Sequence, residues 1–257
     1  MNVQDAAMGL RWRHSSPRRS LMPYAVLATI ALAIAVALVA SGLWTDMLRY
    51  RKDVLYLIKQ HLVLVGISGS LAIVSGVAAG IWLSRPWMAR YAEGTIQVVN
   101  MATSIPTLAK LALMMSLLGI GALPAIVALW IATLLPIIRN TYAGIRGVPA
   151  ALVYAAQGMG MGPREILRRV ELPNALFVML AGVRTAMAVN VGTAPIAFLI
   201  GGGGLGELIF TGIDLQEFGM MLAGAIPTAL LAVAVDFAFG QAQYWLVPRG
   251  VNPLRNS

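Results

Sequence analysis

From residue 20 to residue 45 the sequence carries no Asp, Glu, Lys or Arg, and the same holds from 62 to 84. Each run is long enough for a membrane-crossing helix, which needs about 20 apolar residues. Few folds can hold two such runs. The rest of the chain repeats the pattern: 59% of the 257 residues are hydrophobic and only 11% are charged, against roughly 25% charged in a soluble domain. That composition excludes a water-soluble enzyme, and disorder as well, because disorder needs low hydrophobicity.

Six spans follow, at about 23–44, 62–84, 94–118, 125–138 (extending as far as Tyr142), 176–200 and 218–241. Gly119-Ile120-Gly121-Ala122-Leu123-Pro124 separates the third from the fourth, since Gly and Pro punctuate chains. A lone helix satisfies its own backbone in lipid. A barrel would need alternating strands of about ten residues, which these uniform runs do not show. The expected fold class is all-α, a polytopic membrane protein with about six transmembrane helices. The pair Arg18-Arg19 before the first run resembles a signal sequence, but the run exceeds the 7–15 residues of a signal core, so a retained anchor is expected.

Lys and Arg set the orientation. With the N-terminus inside, thirteen of the 19 fall in inner segments, four (Arg49, Arg51, Lys52, Lys59) fall outside, and Lys110 and Arg184 lie within spans. The bias favours both termini in the cytoplasm, and it accounts for the net charge of +9 without nucleic acid. The chain has no Cys, which excludes disulfides and Cys-ligated metal or iron–sulfur clusters.

Motifs for catalysis fail on context. Gly201-Gly202-Gly203-Gly204-Leu205-Gly206 satisfies a dinucleotide pattern, but it follows a lipid-embedded run, and Glu207 stands where a phosphate loop has lysine. A glycine-rich hairpin at the outer face is the better reading. Gly66-Ile67-Ser68-Gly69 looks like an intramembrane serine nucleophile, yet the histidines are His14 and His61, and His61 lies about 10.5 Å along a helix from Ser68. Gly66, Ser70, Gly76 and Gly80 read instead as a small-residue packing stripe. No ATP site, cofactor site or metal site is visible, and the chain is not expected to be an enzyme.

The connection 141–175 carries the strongest signal. Pro149 opens a helix-like piece; Gly158, Gly160 and Gly162-Pro163 break it; 164–170 reads as a short basic helix ended by Pro173. From Tyr154 the order is Ala155-Ala156, three residues, Gly160, nine residues, Val170-Glu171-Leu172-Pro173. This resembles the E-A-A-x3-G-x9-I-x-L-P loop of bacterial ABC importer permeases, with Tyr154 at the Glu position and Val170 at the Ile position. Asn100-Met101-Ala102-Thr103-Ser104-Ile105-Pro106, Leu135-Pro136-Ile137-Ile138-Arg139-Asn140-Thr141 and Gly203-Gly204-Leu205-Gly206 are collinear with it. Together they resemble the permeases of glycine betaine, carnitine and choline uptake systems, over roughly 61–236. Thr103 stands where many relatives have Gln.

The resemblance implies an ABC importer permease fold with no cofactor of its own. Its domains would be a cytoplasmic arm at 1–22, an additional first helix at 23–44, a permease domain at 60–242 and a cytoplasmic tail at 243–257. The loop 149–173 would dock on a separate ATP-binding subunit through Tyr154, Ala155, Ala156, Gly160, Val170, Leu172 and Pro173. An identical or related second permease and an extracellular or periplasmic solute-binding protein would complete the transporter in the bacterial inner membrane. The solute would be an osmoprotectant such as glycine betaine, its quaternary ammonium held by an aromatic cage on the receptor. Candidates for the pathway or its packing are Asn100, Ser104, Pro106, Arg139, Asn140, Arg184 and Asp236. Gly203, Gly204, Gly206 and Glu207 form the outer loop. The alternatives are an importer of another solute (an amino acid or sulfonate) and an ATP-independent secondary transporter. The latter would want more intramembrane ionisable groups than Lys110, Arg184 and Asp236.

Those three charges need partners or an escape from lipid. At 1.5 Å per residue, Arg184 lies about 12 Å and Asp236 about 8 Å from the inner ends of their helices. Similar depth on sequential spans predicts that they pair. Lys110, about 24 Å from the inner end of span three, is expected to snorkel outward.

Overall fold

The computed structural model describes residue 40 and residues 42–251. The expected first span and the N-terminal arm lie almost wholly outside the described residues. The chain divides at Trp44/Thr45 into an N-terminal unit and a unit spanning Thr45–Ser257. Among the described residues no strand occurs.

The helices are α1 (Leu43–Arg49), α2 (Arg51–Leu83), α3 (Ala89–Ser104), α4 (Thr107–Leu118), α5 (Ala122–Arg146), α6 (Ala150–Gly158), α7 (Pro163–Ile166), α8 (Leu172–Thr193), α9 (Gly206–Asp214) and α10 (Phe218–Leu246). Among the described residues, four helical runs are long and apolar enough to cross a membrane: Arg51–Leu83, Ala122–Arg146, Pro163–Ile200 and Phe218–Leu246. A fifth arises if α3 and α4 count as one bent span.

Here the expectation of a straight third span is corrected. Hydropathy runs evenly through 94–118, but Pro106 forces Ile105 into extended backbone (φ −60°, ψ 130°), and α3 and α4 bend by 91°. The break also corrects Lys110. Its side chain is 5% exposed, and Nζ donates to the carbonyl of Thr103 at 3.2 Å. The cation caps the C-terminal end of α3, where the break leaves carbonyls without helical donors, so it turns inward rather than snorkelling.

α5 is the central helix, packed on α2, α8, α3 and α4. Val65 and Ala72 of α2, Leu129 and Ile137 of α5, and Val183, Ala186, Met187 and Val191 of α8 form the main core. The packing stripe on α2 is Gly69, Ala72, Gly76 and Gly80; a methyl group on Gly76 or Gly80 would collide with Ile137 or Thr141. Gly66 and Ser70 lie off that stripe and are exposed, a correction that follows from helical periodicity.

The helix ends gather at two ends of the bundle. One end holds the close of α2, the start of α3, the close of α5 and α6–α7. The other holds the α4–α5 turn and the glycine-rich segment before α9. They are called here the coupling-loop end and the glycine-loop end.

Candidate functional site: the coupling loop and the charges around it

α6 ends by a rule written in its sequence. Gly160 has φ +81°, its N–H donates to Gln157 O (2.9 Å), and the N–H of Met161 donates to Ala156 O (3.1 Å). This pair of bonds around a left-handed residue is a Schellman cap. The A-x3-G spacing is therefore the cap itself: the second alanine supplies the carbonyl closed by the residue after the glycine. Ala156 is buried, whereas Leu152, Tyr154 and Met159 are exposed, so α6 offers an apolar surface with no partner among the described residues.

Beyond the cap the sequence reading needs correction. Pro173 does not end a short basic helix. α7, the π-helical turn Leu167–Glu171, α8 and the 3-10 turn Ala194–Ile200 run on as one helical stretch of 38 residues. The N–H of Leu172 reaches back to Leu167 O, a π bond that widens the turn just before Pro173. Asn174 Nδ2 donates to Val170 O at 2.7 Å. Val170 is half-buried, and Leu172 packs against a cluster of Ile145, Ala175 and Met179.

Glu171, the unspecified residue of the loop pattern, is tied down. Arg85, just past α2, donates from Nη2 to Glu171 Oε2 at 2.7 Å. Its guanidinium also bonds Ser84 Oγ and, through Nε, Ile81 O at 3.2 Å. Both side chains are mostly buried, at 18% and 16% exposed. This link spans 86 residues of sequence. Its only sequence signal was an acid inside the loop pattern and a base at the end of a span.

The structure brings Arg184 and Asp236 together, as their depths predict, in a two-point pair with Nε–Oδ1 2.7 Å and Nη2–Oδ2 2.5 Å. It does not bring together all the other pathway candidates. Asn140 donates to Pro136 O of its own helix (2.8 Å), at a crossing where Gly182 of α8 lies against both. Ser104 bonds Asn100 O, and Pro106 makes the α3–α4 break. Arg139 is exposed.

The glycine-loop end is also more ordered than a hairpin. Gly201, Gly203 and Gly204 have φ of +78°, +75° and +83°, which lets the chain fold against α2. Gln60 Oε1 accepts from the N–H of Gly204 at 3.1 Å, and Gln60 Nε2 donates to Tyr56 Oη at 2.9 Å. Gly206 and Glu207 are not in a loop: they open α9, and Gly206 is pressed against the carbonyl of Pro195. Nearby, His61 is fully buried with Nε2 3.2 Å from Val191 O, and Ser68 Oγ accepts from Asn190 Nδ2 at 2.9 Å. Sequence reasoning missed both as members of a buried polar layer between α2 and α8.

The family model described as binding-protein-dependent transport system inner membrane component matches residues 72–250. The chain belongs to that family. It is a transmembrane permease subunit of an ABC importer. It is similar to the osmoprotectant import permease protein OsmY of Salmonella typhimurium, with 51% identity over 81% of this chain and 89% of the relative. It is also similar to the choline transport system permease protein OpuBB of Bacillus subtilis (41%, covering 79% and 93%) and to the carnitine transport permease protein OpuCB of Listeria monocytogenes (41%, covering 76% and 89%). Among solved structures, the inward-facing MetNI methionine ABC transporter shares the fold with a TM-score of 0.66 at 24% identity, covering 77% of this chain and 96% of that one.

Proposed function

We propose that this permease forms the membrane pathway for an osmoprotectant, glycine betaine or another quaternary amine, in the inner membrane of a bacterium. A separate subunit hydrolyses ATP, a solute-binding protein delivers the substrate outside, and a second permease, identical or related, completes the pathway. Both termini face the cytoplasm, in keeping with the Lys and Arg bias. The names of the relatives support the solute class.

The observation that carries the reading is α6. Its capped end holds Leu152, Tyr154 and Met159 exposed at the coupling-loop end, a surface suited to a groove on the ATPase. Tyr154, standing at the family's Glu position, makes this contact aromatic rather than ionic. The test is Gly160→Val in the reconstituted complex. A β-branched residue at positive φ costs about 1–2 kcal/mol, and no neighbour lies within 4 Å of a Cβ placed there, so assembly should survive. Uptake and substrate-stimulated ATP hydrolysis should fall together. Wild-type stimulation in that variant would refute the assignment of the loop.

A further inference from the structure

α3 carries a second pattern that the coupling loop does not explain. Glu93, Gln97, Asn100 and Ser104 are spaced four, three and four apart, which places them in one narrow stripe along the helix. The stripe runs from the coupling-loop end to the break at Ile105-Pro106. At its lower end Glu93, Ile96 and Gln97 face Arg139, Tyr142 and Ala143 of α5 across a groove of about 240 Å³. That volume suits a solute smaller than the ligands of 300–1,000 Å³ pockets.

The groove's polar groups are unspent. Among the described residues, no hydrogen bond or ion pair is found for the Glu93 carboxylate, the Gln97 amide, the Arg139 guanidinium or the Tyr142 hydroxyl. Three other charges of the bundle are matched: Arg184 with Asp236, Arg85 with Glu171, Lys110 with a carbonyl. Here an acid and a base stand unpaired on two helices, with an aromatic ring beside them, around one groove.

We propose that this groove is a station on the permeation path for a zwitterionic solute that bears a quaternary ammonium and a carboxylate. Arg139 takes the carboxylate in a charge-assisted hydrogen bond. Glu93 and the Tyr142 ring take the cation, which cannot donate a hydrogen bond and is held by charge and by the aromatic face. Asn100 and Ser104 continue the polar track toward the break. The inference rests on the importer reading above and names the solute geometry that reading leaves open.

The test uses the full transporter in proteoliposomes and two labelled probes: glycine betaine, which has both charges, and choline, which has the cation and no carboxylate. Arg139→Gln should lower glycine betaine uptake about tenfold, the scale of one lost charged hydrogen bond, and choline uptake far less. Arg139→Lys should recover part of the glycine betaine rate. Glu93→Gln should depress both probes. Equal losses of both probes in Arg139→Gln, with no recovery in Arg139→Lys, would show a structural role and overturn the station while leaving the importer reading intact. If the wild-type transporter carries neither probe, the solute reading fails, and the station falls with it.

Discussion

The two ends of the bundle are built on opposite plans. At the coupling-loop end most of the backbone shape is local: a Schellman cap at Gly160 and a π turn before Pro173 come from residues within a few positions of each other, with Arg85–Glu171 as a remote tie. The side chains there are exposed and basic, with Arg164, Arg168 and Arg169 around one open groove. At the glycine-loop end the shape depends on remote partners. Gln60 holds Gly204 across 144 residues, Gly121 N–H donates to Ile200 O at 2.8 Å, and Tyr50 Oη donates to Glu217 Oε2 at 2.6 Å. One end is shaped mostly by short sequence and leaves its side chains exposed. The other is closed upon itself, so damage there should register as lost folding and damage at the first as lost work.

The strongest break of that contrast is Gly206→Val. A side chain at Gly206 would enter the carbonyl of Pro195, and overpacking of this kind costs about 1–3 kcal/mol or more. The variant should show little folded protein by size-exclusion in detergent, unlike Gly160→Val, which should fold and fail to couple. Equal yields of the two would erase the difference between the ends.

Arg85→Met and Glu171→Gln come next. Each strands a mostly buried charge or loses its charged partner, at a cost of about 2 kcal/mol, between exposed and fully buried pairs. Coupling should suffer more than stability, because the pair fixes the loop to α2. The measurement is uptake per ATP hydrolysed, and an unchanged ratio in both variants would confine the pair to packing.

The smallest effect belongs to Arg184 and Asp236, whose side chains are 40% and 41% exposed in the isolated chain. Asp236→Asn and Arg184→Gln should each lower the melting temperature. The double variant should lose less than the sum, by about 1 kcal/mol of coupling, the scale of an interhelical polar contact in a membrane. Strict additivity would mean that the pair contributes nothing as a pair.

What the sequence made legible follows the same division. The runs 62–84, 125–138, 176–200 and 218–241 were readable as helices long enough to span because lipid imposes a compositional rule on every residue of a run. The capped loop was readable because a cap is made of neighbours. Arg184 and Asp236 were readable because rare charges in apolar helices have few partners at their depth. The bend at Ile105-Pro106 was visible as a proline, but hydropathy carries no information on backbone angles, and the reading of Lys110 failed with it. Arg85–Glu171 was not readable. Each residue looks like an ordinary interfacial charge, and only the packing of α2 beside the π turn brings them to 2.7 Å.

The unbroken helical stretch Pro163–Ile200 has a mechanical consequence. It is a stiff arm with a fulcrum, since Arg85 grips it at Glu171, eight residues from one tip. Beyond that grip about 29 residues extend some 44 Å to the far tip, so a tilt of about 5° at the gripped end displaces that tip by about 4 Å. The far tip leads directly into Gly201, where the chain turns to meet Gln60. A small rotation at the gripped end thus arrives at the far tip as a displacement about the size of a methylammonium group.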